Sequence, residues 1–234
     1  MSTEINERLQ DLENQIQTTY KSYSVVGTVC TTKSISQSER FGQFRQFANK
    51  LLIERRHITD PSHHLILDEI GRSVARNEIK YLVNNLQKGC KQTTTEKISY
   101  RDIQEGVSSI QNSGFVPNHI FLPIEYFHEV FEWNKDKPRT YDATKSAFNS
   151  LYISESVTLS VDYSNKYIQF DDSIITSKEA NFWEYRPTSS DNERLISQFC
   201  WDQGDDVNTI LLVQTIFNLH VKHPEGNFLL SKEN

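Results

Sequence analysis

An α+β fold is what the 234-residue sequence predicts, and three observations predict it. A long amphipathic helix runs from Asp60-Pro61 to Gly89. A helix, a short apolar strand and another helix follow closely between Ser99 and Trp133. A long alternating strand then occupies Val207 to Val221. Helix, strand and helix in such tight spacing imply a small α/β layer around one core.

The long helix has its own start and stop signals. Asp60 is suited to cap free backbone N–H groups, and Pro61 fits the first helical position because it has no N–H to lose. Leu67, Ile70, Val74, Tyr81 and Leu82 recur at helical spacing and make one apolar face. Gly89 sits where a left-handed residue ends a helix. The expected length is about 28 residues, or roughly 42 Å at 1.5 Å per residue. Glu78 falls on the apolar face, four residues after Val74 and three before Tyr81. One reading is an acid at the edge of the stripe. The other is a buried or interfacial carboxylate paired with an arginine, since a buried charge needs a partner; Arg72 and Arg76 precede it on the same helix.

Ser99-Tyr100-Arg101-Asp102 is a capping-box pattern, and Ile103, Val107 and Ile110 continue it as a helix ended by Gly114. Val116 to Leu122 reads as a short buried strand with Pro117 near its start. Pro123 opens a third helix with Ile124, Phe127, Val130 and Phe131 expected on its inner side.

Elsewhere the pattern is more mixed. Ile5, Leu9, Leu12 and Ile16 form a narrow helical stripe that needs a partner surface, in its own subunit or in a neighbour. Ser24 to Ser38 favours extended structure and then a loop. Phe41, Phe44, Phe47, Leu51 and Leu52 predict a helix from about Arg40 to Arg56, made basic by Arg40, Arg45, Lys50, Arg55 and Arg56. Leu151 to Tyr163 alternates with Val157, Leu159 and Val161 on one side, and Ser164-Asn165-Lys166 turns it into a hairpin with Tyr167 to Phe170. Ile174-Ile175 and Phe182 to Tyr185 are further short strands or loops. In the last strand Leu211, Val213, Phe217, Leu219 and Val221 share one face, while Gln214, Asn218 and His220 share the other. Four stretches are expected: an N-terminal arm with helices (1–59), the long helix and a loop (60–98), an α/β region with hairpins (99–206), and the last strand with its tail (207–234).

In element order and punctuation, about residues 60–133 and 207–230 resemble the Hong Kong 97-type capsid fold, shared by tailed-phage major capsid proteins and bacterial encapsulins. Arg76-Asn77-Glu78 on the long helix, followed by Gly89 and a Thr-rich loop, is similar to that family's spine helix and loop. Phe115-Val116-Pro117-Asn118-His119-Ile120-Phe121-Leu122-Pro123 resembles its strand entering a Pro-started helix of the axial domain. The stretch from Val213 to Leu230 resembles its last long strand, with a Pro and a short apolar tail. The resemblance implies a long spine helix, a small α/β axial domain and an elongated antiparallel sheet. It also implies a non-catalytic shell protein, of prophage or encapsulin type, that assembles into a homo-oligomer. An encapsulated cargo protein or packaged nucleic acid is then the expected content. In that family N-terminal arms reach adjacent subunits, and a long hairpin lies over a neighbour; here the matching stretch is short. The residues expected at subunit contacts are Ile5, Leu9, Leu12, Ile16, Phe41, Phe44 and Glu78. An accessory protein with this fold but no closed shell is the alternative.

Composition narrows the classes further. The formal charge of -6 does not indicate a basic grip on nucleic acid. No apolar run approaches the roughly 18 residues that span a bilayer, and MSTEINERLQ lacks a basic-then-apolar leader. No membrane association is expected, and the place is the cytoplasm, or a virion if the chain is phage-derived. Cys30, Cys90 and Cys200 are isolated and odd in number, which gives neither a disulfide framework nor a metal spacing. His57, His63 and His64 flank a turn, and His220 and His223 lack a third ligand nearby. There is no phosphate loop, nucleophile elbow, HExxH helix or paired CxxC, so no cofactor and no catalysis are expected. An enzyme would have to assemble its site from scattered residues such as His119, His128, Asp171 and Asp172.

Overall fold

The computed structural model describes residues 3–35, 45–54, 63–135, 149–163, 172–187, 195–201 and 208–232. These form two compact units, each built from discontinuous stretches. The first takes in Met1–Val25, Thr32–Ile79 and Trp183–Asn218; the second takes in Val26–Thr31, Lys80–Phe182 and Leu219–Asn234.

The first unit contains helix α1 (Thr3–Tyr23) and most of the long helix α3 (His63–Leu86). At 24 residues α3 is roughly 36 Å long. Asp60 and Pro61 lie outside the described residues, while Gly89 has φ 78°, the left-handed conformation its position predicts. The unit's five-stranded sheet is ordered β1 (Thr31–Ser34), β8 (Asn181–Tyr185), β10 (Asn208–Val221) and β2 (Arg45–Glu54), and β9 (Leu195–Trp201) also pairs with β10.

The predicted helix over 40–56 is a correction: Arg45–Glu54 is a strand, antiparallel to β10 over ten residue pairs from Arg45↔Phe217 to Glu54↔Asn208. Phe47 and Leu51 are four apart, a spacing that fits one helix face and one strand face equally, and pairing with a long strand decides between them. Ser24 to Ser38 is also not simply extended, since Val26–Val29 forms the short helix α2 before β1. In β10, Leu211, Val213, Thr215 and Phe217 are buried on one face, as the alternation predicts. Trp183 stacks on Phe217 with ring centroids 4.1 Å apart. The core of this unit joins Leu9, Leu12, Ile16 and Tyr20 of α1, Leu67, Val74 and Ala75 of α3, and Leu195, Leu211 and Val213 of the sheet.

The second unit holds a six-stranded mixed sheet in the order β3 (Lys91–Thr95), β11 (Asn227–Lys232), β7 (Ser173–Thr176), β4 (His119–Phe121), β6 (Val157–Asp162) and β5 (Ser150–Ser154). The Thr-rich stretch read as a loop is the strand β3, and the apolar C-terminal tail is the strand β11. They pair in parallel from Phe228↔Lys91 to Lys232↔Thr95. Neither is long or periodic enough to announce itself; each is a strand because the other is there.

Helix α4 (Tyr100–Asn112) begins at a complete capping box. Ser99 Oγ accepts from the Asp102 N–H, and an Asp102 oxygen accepts from the Ser99 N–H at 2.7 Å. Ile103, Val107 and Ile110 enter the core with Ile120, Leu122, Leu151, Leu159, Ile175 and Leu230. The stretch read as one strand is two: β5 and β6 fold back on each other within it, with Val157, Leu159 and Val161 inward as expected. Residues 164–170, where the return strand was expected, lie outside the described set.

After Pro123 comes a 3-10 turn, Ile124–Tyr126, and then helix α5 (Phe127–Asn134). The tighter turn changes the phase of the helix. Tyr126 and Val130 are the buried side chains, whereas Ile124 is 46% exposed and Phe131 37%, so those two do not lie on the inner side.

Candidate assembly surfaces

The residues expected at subunit contacts sort into three groups. Leu9, Leu12 and Ile16 are packed inside their own unit, in the core described above. Leu9, Leu12 and Ile16 of the narrow stripe are therefore covered within the chain. Ile5 lies on α1, and Phe41 and Phe44 lie outside the described residues. Glu78 is fully buried, and the donors seen on it are two hydroxyls where an arginine was expected. Its carboxylate accepts from the Tyr20 hydroxyl at 2.7 Å and from the Ser24 hydroxyl at 3.3 Å.

These bonds belong to a polar seam between α1 and α3. Asp68 accepts from Gln15 at 3.0 Å and from Thr19 at 2.8 Å. Between the two acids lies Gly71, where an added Cβ would stand 3.0 Å from the Ile16 carbonyl oxygen and 3.3 Å from the Tyr20 nitrogen. A glycine there lets two helix backbones touch. Gln17 extends the seam to the sheet by donating to the Leu195 carbonyl at 2.7 Å. The stripe gave the apolar half of this docking; the acids on α3 that orient it have no signal of their own in the α1 pattern.

In the second unit Thr176, Asn181 and Asn227 form a buried polar cluster. Asn181 donates to the Thr176 hydroxyl at 2.7 Å and to Asn227 at 3.0 Å, and Asn227 donates back to Asn181 at 3.1 Å. All three are fully buried, so their mutual hydrogen bonds offset the cost of desolvating them.

Of the scattered residues of the enzyme reading, the structure describes His119, His128 and Asp172, which is half-buried. His119 is buried on β4 with its ring 4.6 Å from Phe121. Among the described residues neither ring nitrogen has a hydrogen-bond partner, and burial lowers its pKa to about 3, so the imidazole is neutral. His128 is exposed on α5, and Asp171 lies outside the described residues. Among the described residues no group of three His, Cys, Asp or Glu side chains is placed to hold a metal ion. Asp162, at the end of β6, has its pKa raised to about 6 by burial. No helix among the described residues is long and apolar enough to cross a membrane.

What the surface does present is apolar side chains and sheet edges. Leu65 is 79% exposed and Val116 60%, and Ile66, Ile124 and Phe131 are exposed as well. The two edges of the six-stranded sheet differ. On β5 the Asn134 amide donates to the Ser150 carbonyl at 2.7 Å and accepts from the Tyr152 N–H at 3.0 Å, as a neighbouring strand would. The Tyr100 hydroxyl takes the Tyr152 carbonyl at 2.8 Å. Among the described residues β3 has no such cover.

Among solved structures, the chain is similar to the virus-like particle from Pyrococcus furiosus. The TM-score is 0.65 at 12% identity, over 95% of this chain and 98% of that one. The fold is that of the Hong Kong 97-type capsid proteins. The holo-SrpI encapsulin complex from Synechococcus elongatus aligns with a TM-score of 0.53 at 10% identity, over 80% of this chain and 73% of that one. The mature capsid of bacteriophage PhiM1 aligns at 0.52 and 11% identity, over 87% and 79%. No family model matches the chain, and no curated protein sequence matches it. The Hong Kong 97-type fold is thus carried here by element order, periodicity and turn chemistry at identities of 10–12%.

Proposed function

We propose that this chain is the structural subunit of a self-assembling shell, capsid-like or encapsulin-like, with no catalytic activity of its own. The observation that carries the reading is the fold likeness to a virus-like particle, which runs over nearly the full length of both chains. In such a shell identical subunits meet through repeated lateral contacts, and closed symmetry follows from the repetition. Exposed Leu65, Ile66, Val116, Ile124 and Phe131 supply apolar surface for those contacts. Ile5, Phe41 and Phe44 stay as contact residues of the same proposal, while Leu9, Leu12, Ile16 and Glu78 serve the subunit's interior. The content is a cargo protein or nucleic acid. The net charge of -6 favours a content that is enclosed and not gripped. The place is the cytoplasm, or a virion. Negative-stain electron microscopy of the purified protein tests this: closed particles of uniform size are expected. Small irregular species would instead favour an accessory protein that keeps the fold without closing a shell.

A further inference from the structure

The unequal edges of the six-stranded sheet point to a specific contact. An open edge strand presents a row of unpaired N–H and C=O groups and invites another strand. At one end of the sheet this invitation is withdrawn. The Val161 N–H donates to the Asn149 carbonyl, so alternation turns the Ser150 carbonyl and both polar groups of the Tyr152 backbone away from β6. Those are the groups that Asn134 and Tyr100 satisfy. At the other end β3 pairs with β11 alone, and among the described residues no bond closes its outer side. It carries no proline or bulge, and the one edge-guarding side chain on it is Lys91 at its first position. Lys91, Gln92 and Thr94 are exposed, and Thr93 and Thr95 are half-buried.

We propose that β3 pairs antiparallel with β3 of a second copy of this chain, about a twofold axis at Thr93. A twofold perpendicular to a sheet keeps each side chain on its own face, so opposed residues must be of the same parity. The register centred on Thr93 satisfies this and sets Thr93 against Thr93, Gln92 against Thr94, and Lys91 against Thr95. Threonine pairs are favourable across strands, and no like charges stand directly opposite. The alternative register centred on Thr94 would set Lys91 against Lys97, which disfavours it. In the chosen register the only cation within the strand is Lys91, whose ammonium is 3.5 Å from the Ser109 hydroxyl. Lys97 lies beyond the strand and is held by Glu129 at 3.2 Å. The closed β5 edge leaves the β3 edge to pair with its own copy instead of propagating strand by strand. The contact rests on the shell reading only for the supply of copies.

Disulfide trapping tests it, with Cys90→Ser in every chain to remove the nearest native thiol. Thr93→Cys chains under mild oxidation are expected to become covalent dimers. Thr94→Cys chains, whose new thiols would face Gln92, are expected to stay at the Cys90→Ser background. No dimer from Thr93→Cys, or equal dimer from both, overturns the proposal. Hydrogen exchange on the unsubstituted chain is the second measurement: alternate β3 amides are expected to slow as protein concentration rises, and unchanged exchange counts against the contact. Closed particles without the cross-link would remove this contact and leave the shell. A cross-linked pair that sediments only as a dimer would remove the shell and leave the contact.

Discussion

Glu78 shows what a single side chain decides in this fold. A carboxylate on the apolar face of a helix is costly unless it is bonded, and here Tyr20 and Ser24 donate to it across the α1–α3 seam. Tyr20→Phe removes the 2.7 Å donor and keeps the ring, so it is expected to lower stability by roughly 1–3 kcal/mol in urea unfolding. His119 and Asp162 give two opposite pH signatures. The folded pKa of His119 is lowered to about 3 from the ordinary histidine value of 6.5. Above that ordinary value both states are neutral and nothing is lost. As pH falls below it the unfolded chain takes up a proton that the folded chain refuses, which costs roughly 1 kcal/mol per pH unit until the folded pKa is reached. His119→Phe is expected to flatten that acid loss. Asp162 runs the other way, because its folded pKa is raised from 3.8 to about 6. Its contribution is present below the lower value and is lost as pH rises through the higher one. Asp162→Asn is therefore expected to be more stable than the parent at neutral pH, with the advantage gone at acid pH. Urea melts across pH 4 to 7 would check both signs.

At the scale of elements, legibility followed locality. The capping box at Ser99 was legible because all its chemistry lies within four residues, and the structure forms both of its hydrogen bonds. Ser99→Ala is expected to cost about 0.5–2 kcal/mol of stability in a urea melt. The end of α3 at Gly89, the end of α4 at Gly114 and the face of β10 were legible for the same reason. β2, β3 and β11 were not, because their strand character comes from partners far along the chain. Residue 47 meets residue 215, and residue 91 meets residue 228. The α1 stripe was legible as a face needing cover, but whether its own subunit or a neighbour covers it depends on Gly71 and the acids of α3. Gly71→Leu would drive a side chain into the α1 backbone. A loss of about 1–3 kcal/mol is expected, together with faster exchange of α1 amides, while the core of the second unit contains no α1 residue and stays protected.

At the scale of the molecule, the fold was legible as an order of elements: a spine helix, a helix–strand–helix layer and a long last strand. Contact residues leave a weaker mark in a sequence than a fold does. A stripe of leucines and isoleucines has the same pattern whether it closes a core or an interface, and burial separates the two. The apolar side chains that remain exposed are single positions such as Leu65 and Val116, which no periodicity marks. Each apolar side chain covered on association contributes about 1.5–3 kcal/mol. A few such contacts outweigh the cost of association when they recur around a closed array. Sedimentation velocity of the intact protein at micromolar concentration tests this most directly. The account predicts a fast, narrow boundary from one large species of closed particles. A single sharp boundary at the mass of the 27.3 kDa monomer would contradict it.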